Sequence, residues 1–136
     1  MGILLESIRG VPAFITYFGS ATVLVLLFLA IYVRITPYRE LALIRDGNVA
    51  AACSLSGALL GFVIPLSKAI AQSVSLPDML LWGAVALIVQ LLVYIAVRST
   101  VPEVVTGIPL GKGAHGLFLG IVALAAGVIN AACMTY

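Results

Sequence analysis

Residues 12–33 read PAFITYFGSATVLVLLFLAIYV, 22 consecutive positions without a charged side chain. At 1.5 Å of rise per residue a helix of that length covers roughly 30 Å, the hydrocarbon thickness of a bilayer. Three more uncharged stretches follow at 49–67, 79–97 and 114–136, with 19, 19 and 23 residues. Lipid offers no partner to an open strand edge, so each stretch must close its backbone hydrogen bonds internally, as a helix. The expectation is an all-α integral membrane protein with four transmembrane helices and a single membrane domain over 1–136. The remaining segments are an N-terminal tail and short loops, none able to bury a core.

Composition agrees. The 136 residues are 63% hydrophobic and 9% charged, with a mean hydropathy of +1.25, whereas a soluble domain carries about 25% charged residues. Twelve charged side chains, seven basic and five acidic, cannot coat a protein of this size in water. A net charge of +2 without clustered Lys and Arg gives no nucleic-acid footprint. The first span is too long for the apolar region of a signal peptide and no small-x-small cleavage site follows it, so it is expected to stay in the protein.

The charges that exist are unevenly placed. Arg34, Arg39, Arg45, Arg98 and Lys112 lie in the two connections after spans one and three, against Arg9 and Lys68 on the other side. Five against two puts those connections in the cytoplasm and both termini outside. Thr36 with Pro37 predicts a short amphipathic helix lying at the interface and stopping at Gly47. Thr100 with Glu103 fits a capping box for barely one turn before Gly107 and Pro109.

At an offset of 64 residues the chain superposes on itself without gaps from Ile15 to Gln72, with 12 of 58 positions identical. Gly19 matches Gly83, Arg34 matches Arg98, Thr36 matches Thr100 and Gly47 matches Gly111. Matches at polar and glycine positions near helix ends are not what apolar composition alone produces. They predict two duplicated halves, about 12–72 and 78–136. Each half holds two spans, so the copies are parallel-repeat helical hairpins, related by an axis along the membrane normal.

Apolar side chains gain little by leaving lipid for one another, so helices in a bilayer associate where small residues let backbones approach. Span two carries Gly57 and Gly61, and span four carries Gly116, Gly120 and Gly127, at steps of a helical face. Those two spans are expected to meet protein. Spans one and three, rich in Leu, Val, Ile and Phe, are expected to face lipid. Pro65 removes the donor that would pair the Gly61 carbonyl, which predicts a kink or fray late in span two.

Few residues suggest chemistry. Gln90, midway along span three, reads first as an interhelical hydrogen-bond maker and only secondarily as a transport residue. Lys68 and Asn130 share a depth near the outer face; a snorkelling Lys and a bonded Asn is the plainer reading, an outer vestibule the functional one. His115 and Cys53 lie at similar depth but make only two ligands, too few for zinc. Cys53 and Cys133 are most of a bilayer apart, leaving only an intermolecular contact of Cys133 open. Gly107 to Gly113 lacks the spacing, the Ser or Thr and the preceding strand of a phosphate loop. No nucleophile elbow accompanies His115. No catalytic, cofactor-binding or metal site is expected.

The segments Ile35-Thr36-Pro37, Ser56 to Ser67 (SGALLGFVIPLS), Pro77-Asp78 with Trp82-Gly83, and Asn130 to Thr135 (NAACMT) together resemble the YjfL-like inner-membrane proteins, the family of domain of unknown function 350. The resemblance runs along nearly the whole chain. It implies a four-span bacterial inner-membrane protein built of two related halves and brings no activity with it. Where that family's fourth span usually opens on a polar Asn-Thr pair, this chain has Lys112-Gly113-Ala114-His115-Gly116, which gives His115 no family-wide role. The expectation is a non-enzymatic, self-associating structural or interaction module, whose charged loops, Arg39 and Arg45 above all, meet lipid headgroups or partner proteins. A small channel or carrier formed by a homo-oligomer is the alternative.

Overall fold

The structure, a computed structural model, describes residues 2–134. Its elements are α1 (Gly2–Arg9), α2 (Val11–Ile35), α3 (Glu40–Arg45), α4 (Val49–Gln72), α5 (Leu76–Thr100), α6 (Val104–Gly107) and α7 (Gly113–Cys133). Four of these stretches, the first running from Gly2 through Ile35, are long and apolar enough to cross a membrane. They contain the first three expected spans and the fourth as far as Cys133; Met134 caps α7, and residues 135 and 136 lie outside the described residues.

The helices outlast the uncharged stretches. Arg34 lies inside α2, Arg98 inside α5, and Lys68 to Gln72 continue α4. Charge ends contact with hydrocarbon but not the backbone hydrogen-bond ladder, so spans read from charge are too short as helices. The same logic corrects the N-terminal tail, which forms α1. Gly10 keeps helical angles (φ −77°, ψ −13°) between α1 and α2.

The helix ends follow local chemistry. Gly47 and Gly111 both take φ near +80° (85° and 79°), a left-handed turn that side chains disfavour, just before α4 and α7. Asn48 then caps α4, its Oδ1 accepting from the Ala51 amide at 3.0 Å. Its Nδ2 donates to the Ile108 carbonyl at 2.9 Å, tying the two connections together. Two expected caps do not form. Thr36 is the C-cap of α2 and its hydroxyl turns to the Val33 and Tyr38 carbonyls, so the short helix starts at Glu40 rather than Pro37. Thr100 still belongs to α5, where its hydroxyl bonds the Ala96 carbonyl, and Glu103 caps α6 without a side-chain bond.

α4 is the centre of the bundle. Its buried positions include Ala50, Ser54, Gly57, Gly61, Pro65 and Leu66. α7 runs beside it in the same direction, Gly116 against Ala50, Gly120 against Cys53, Gly127 against Gly61. α4 is unbroken through Pro65 to Gln72, so the predicted fray is absent. The Gly61 carbonyl, deprived of its usual partner by Pro65, lies against Gly127, where the missing Cβ leaves it room.

α2, expected to face lipid, buries only Ala21, Phe28 and Tyr32 and leaves the rest of its surface exposed or half-buried. α5 likewise leaves most of its surface exposed or half-buried, but turns one face inward and buries Met79, Gly83, Ala86, Gln90, Tyr94 and Val97. Those residues recur every three or four positions and form one face. The face was hidden because its flanks are equally apolar, leaving the sequence no polar contrast to mark it. α2 and α5 run parallel, with Leu24 against Gly83 and Tyr32 against Tyr94. Any up-down bundle makes alternate helices parallel, so this geometry describes the arrangement without bearing on duplication.

Candidate functional site

The most concentrated buried polarity lies where α2, α3, α4 and α5 converge at the loop end. α3 begins there with Glu40, which is 1% exposed. Neither carboxylate oxygen has a hydrogen-bond partner, and the buried hydroxyls of Tyr32, Tyr38 and Tyr94 have none either. Glu40 is close enough for its charge to act on all three phenols. Thr36 and Ser54 are also buried, and the Ser54 hydroxyl donates back to the Ala51 carbonyl at 3.0 Å. Burial pushes the Glu40 carboxyl from 4.5 up to about 7, with the nearby Thr36 hydroxyl acting in the opposite sense. Burial likewise drives the Tyr38 phenol up, helped by the Glu40 charge.

Backbone and rings hold this cluster in place. Tyr32 meets Tyr94 edge to face, with centroids 5.6 Å apart, and Phe28 packs between Tyr32 and Phe62. On the outer side, Thr36, Pro37, Tyr38, Arg39, Glu40 and Leu41 help to line an open recess of about 340 Å³. Such an arrangement can store a proton on a carboxyl group; it offers no nucleophile–base pair. Among the described residues there is no group of three His, Cys, Asp or Glu able to hold a metal.

The residues singled out in the sequence are dispersed. Gln90 is buried and its Nε2 donates to the Ala123 carbonyl at 3.1 Å, joining α5 to α7 beside Gly61. Its Oε1 has no partner. Lys68 passes Asn130 and donates to the Ala131 carbonyl at 2.6 Å. The Asn130 amide nitrogen is buried without a partner, so the two polar groups do not pair into a vestibule. His115 sits over Gly107, which has no Cβ to collide with the ring. Cys53 and Cys133 are both free thiols. Arg34, Arg39, Arg45 and Arg98 are all exposed at the loop end.

The Domain of Unknown Function family DUF350 matches residues 6–134. The chain belongs to the DUF350 family. It is 48% identical over 124 residues to the UPF0719 inner membrane protein YjfL of Escherichia coli (strain K12), covering 91% of this chain and 94% of that one. It is 29% identical over 87 residues to the UPF0719 transmembrane protein YshE of Bacillus subtilis (strain 168), covering 64% and 65% of the two chains. No solved structure matches it.

In this DUF350 chain the sequence pointed to the Gly seam and to Gln90 as a bridge, and missed Glu40, Tyr32, Tyr38 and Tyr94. Glu40 follows Arg39 in a charged connection, where a carboxylate ordinarily faces water. The available signal was the pair of apolar residues at Leu43 and Ile44, which turn one face of α3, and with it Glu40, toward the bundle. As for Gln90, Gln90→Leu should change stability by less than about 1 kcal/mol. It removes one interhelical bond, worth about 0.6 kcal/mol on average in membranes, and also removes an unpaired buried oxygen. Unfolding of the two proteins in mixed micelles is the comparison; a loss beyond about 2 kcal/mol, roughly three times the mean bond value, would assign Gln90 a larger role.

Proposed function

We propose that this chain is a non-enzymatic, self-associating structural or interaction module of the bacterial inner membrane. Its connections at 36–48 and 101–112 face the cytoplasm and both termini face the periplasm. The observation that carries this reading is the seam between α4 and α7. The two backbones touch at Gly57, Gly61, Gly116, Gly120 and Gly127, which leaves no room for a solute between α4 and α7. Function then falls to the surfaces. α2 offers a nearly unburied apolar flank for lipid or a second copy, and Arg34, Arg39, Arg45, Arg98 and Lys112 gather at one end.

The inner-membrane location rests on the relative named as such and on the four apolar helices. Duplication is supported by the paired left-handed glycines, Gly47 and Gly111, and by the short helices α3 and α6, which start 64 residues apart at Glu40 and Val104. Mass measurement in lipid nanodiscs should give a closed homo-oligomer, and a monomer at every lipid ratio would remove self-association. The loop charges predict a second result. R39A/R45A should reduce the phosphatidylglycerol retained through gentle purification by roughly tenfold or more at low salt, since each basic side chain near an anionic surface contributes about 1 kcal/mol. Equal retention would count against a headgroup role.

A channel or carrier formed between copies is the second reading, and the unpaired Asn130 amide favours it. Lys68 and Gln90 weaken it, because both give hydrogen bonds within the chain. Ion and small-solute flux equal to that of empty liposomes would dispose of it.

A further inference from the structure

We propose that Glu40 is a proton-binding site whose neutral form latches residues 36–47 onto the bundle and whose ionised form releases them. The inference is separate from self-association and stands whether or not copies assemble.

Three observations lead there. Glu40 is 1% exposed, and both its oxygens lack hydrogen-bond partners. An ionised carboxylate in such a place has lost its water with only the nearby Thr36 hydroxyl to offset it, a state that proteins escape by binding a proton or by moving. Packing does not demand an acid there. Val104 opens α6 as Glu40 opens α3, and it too is fully buried. The segment has little holding it, because α3 has only six residues and the buried or partly buried side chains of 36–47 are Thr36, Tyr38, Glu40, Leu43 and Ile44. Asn48 fixes its far end through the bonds to Ala51 and Ile108.

The groups facing Glu40 are Tyr32 of α2, Thr36 and Tyr38 of the connection, and Tyr94 of α5; behind them Ser54 of α4 neighbours Tyr38 and Arg98 neighbours Tyr94. Phenols and hydroxyls do not ionise near neutrality, so the carboxyl is the one that changes charge. The Arg98 charge acts on the Tyr94 phenol and not on Glu40. No cation therefore compensates the ionised carboxylate from inside the cluster.

The sign follows from linkage. With its carboxyl value raised from 4.5 to about 7, the docked segment holds the proton more tightly than the released one. Docking is fully supported below pH 4.5, weakens as the pH rises through about 7, and levels off above that. Across the window the docked-to-released ratio should fall on the order of a hundredfold.

The test is hydrogen exchange of the full chain in nanodiscs of phosphatidylethanolamine and phosphatidylglycerol, corrected for the intrinsic pH dependence of amide exchange. Residues 36–47 should lose protection on the order of a hundredfold between about pH 4.5 and 8, while the ends of α4 and α7 hold theirs. E40Q and E40V should both abolish the response, and E40V installs the residue type that already fills the equivalent place in α6. Either variant that folds serves. Constant corrected protection in the unmodified protein overturns the proposal, as does an undiminished pH response in either variant.

Discussion

Gly57→Val forces α4 and α7 apart and lowers the stability of the bundle by about 3 kcal/mol or more, the upper end of what overpacking costs. A Cβ at Gly57 would fall on the backbone of Gly120, its carbonyl oxygen, Cα and carbonyl carbon alike. A flexible side chain could turn aside from such an overlap, but a helix backbone cannot without moving the whole helix. Moving α7 also breaks the contacts one and two turns away, at Ala50 with Gly116 and Gly61 with Gly127. In lipid, close packing is most of what holds helices together, so a widened seam has little to fall back on. Detergent-driven unfolding followed by circular dichroism reads the effect. Gly19→Ala is the control, because a Cβ there meets nothing within 4 Å, and it should cause no loss. Equal stability of Gly57→Val and the unmodified chain would mean that the seam does not support the fold.

The seam was legible in the sequence because lipid leaves few ways to join helices, and glycine at helical spacing is the plainest of them. The spans were legible for the same reason: water's absence forbids charge, and the absence of charge is visible. What escaped was whatever lacked contrast. The inner face of α5 is apolar among apolar neighbours, and Met79, Gly83 and Ala86 carry no mark separating them from Leu80 or Leu81, which are exposed. Glu40 escaped for the opposite reason. A carboxylate flanked by Arg39 in a charged connection reads as solvated, and only the docking of α3 through Leu43 and Ile44 turns it inward. Local periodicity over six residues is too short to announce such a face. The aromatic residues were counted as bulk hydrophobicity, although Phe28, Tyr32, Phe62 and Tyr94 form one continuous contact across three helices.

That contact makes Phe62→Ala the second large effect, and a selective one. Phe62 stacks on Phe28 with centroids 4.6 Å apart and planes 5° from parallel, and Phe28 leads on to Tyr32 and Tyr94. In a water-soluble core the same truncation costs about 3–5 kcal/mol, part of it the return of apolar surface to water. Here the separated helix meets lipid instead, so that part drops out and the cavity and lost ring contact remain, about 2 kcal/mol in all. The loss does not spread evenly. α2 buries only Ala21, Phe28 and Tyr32, so the ring stack is much of its attachment, whereas α4 and α7 keep their glycine seam. Phe62→Ala should therefore free α2 while leaving α4 beside α7. In a background with C53S and C133A, the pair L24C and G83C reports the α2–α5 contact, since Leu24 already lies against Gly83. A short thiol crosslinker should join that pair efficiently, and several-fold less so once F62A is added. A second pair, A50C with A114C, sits beside the Ala50–Gly116 contact and should crosslink equally in both. Parallel loss at both pairs would show that the four helices separate as one unit, and that α2 depends on the seam rather than on its rings.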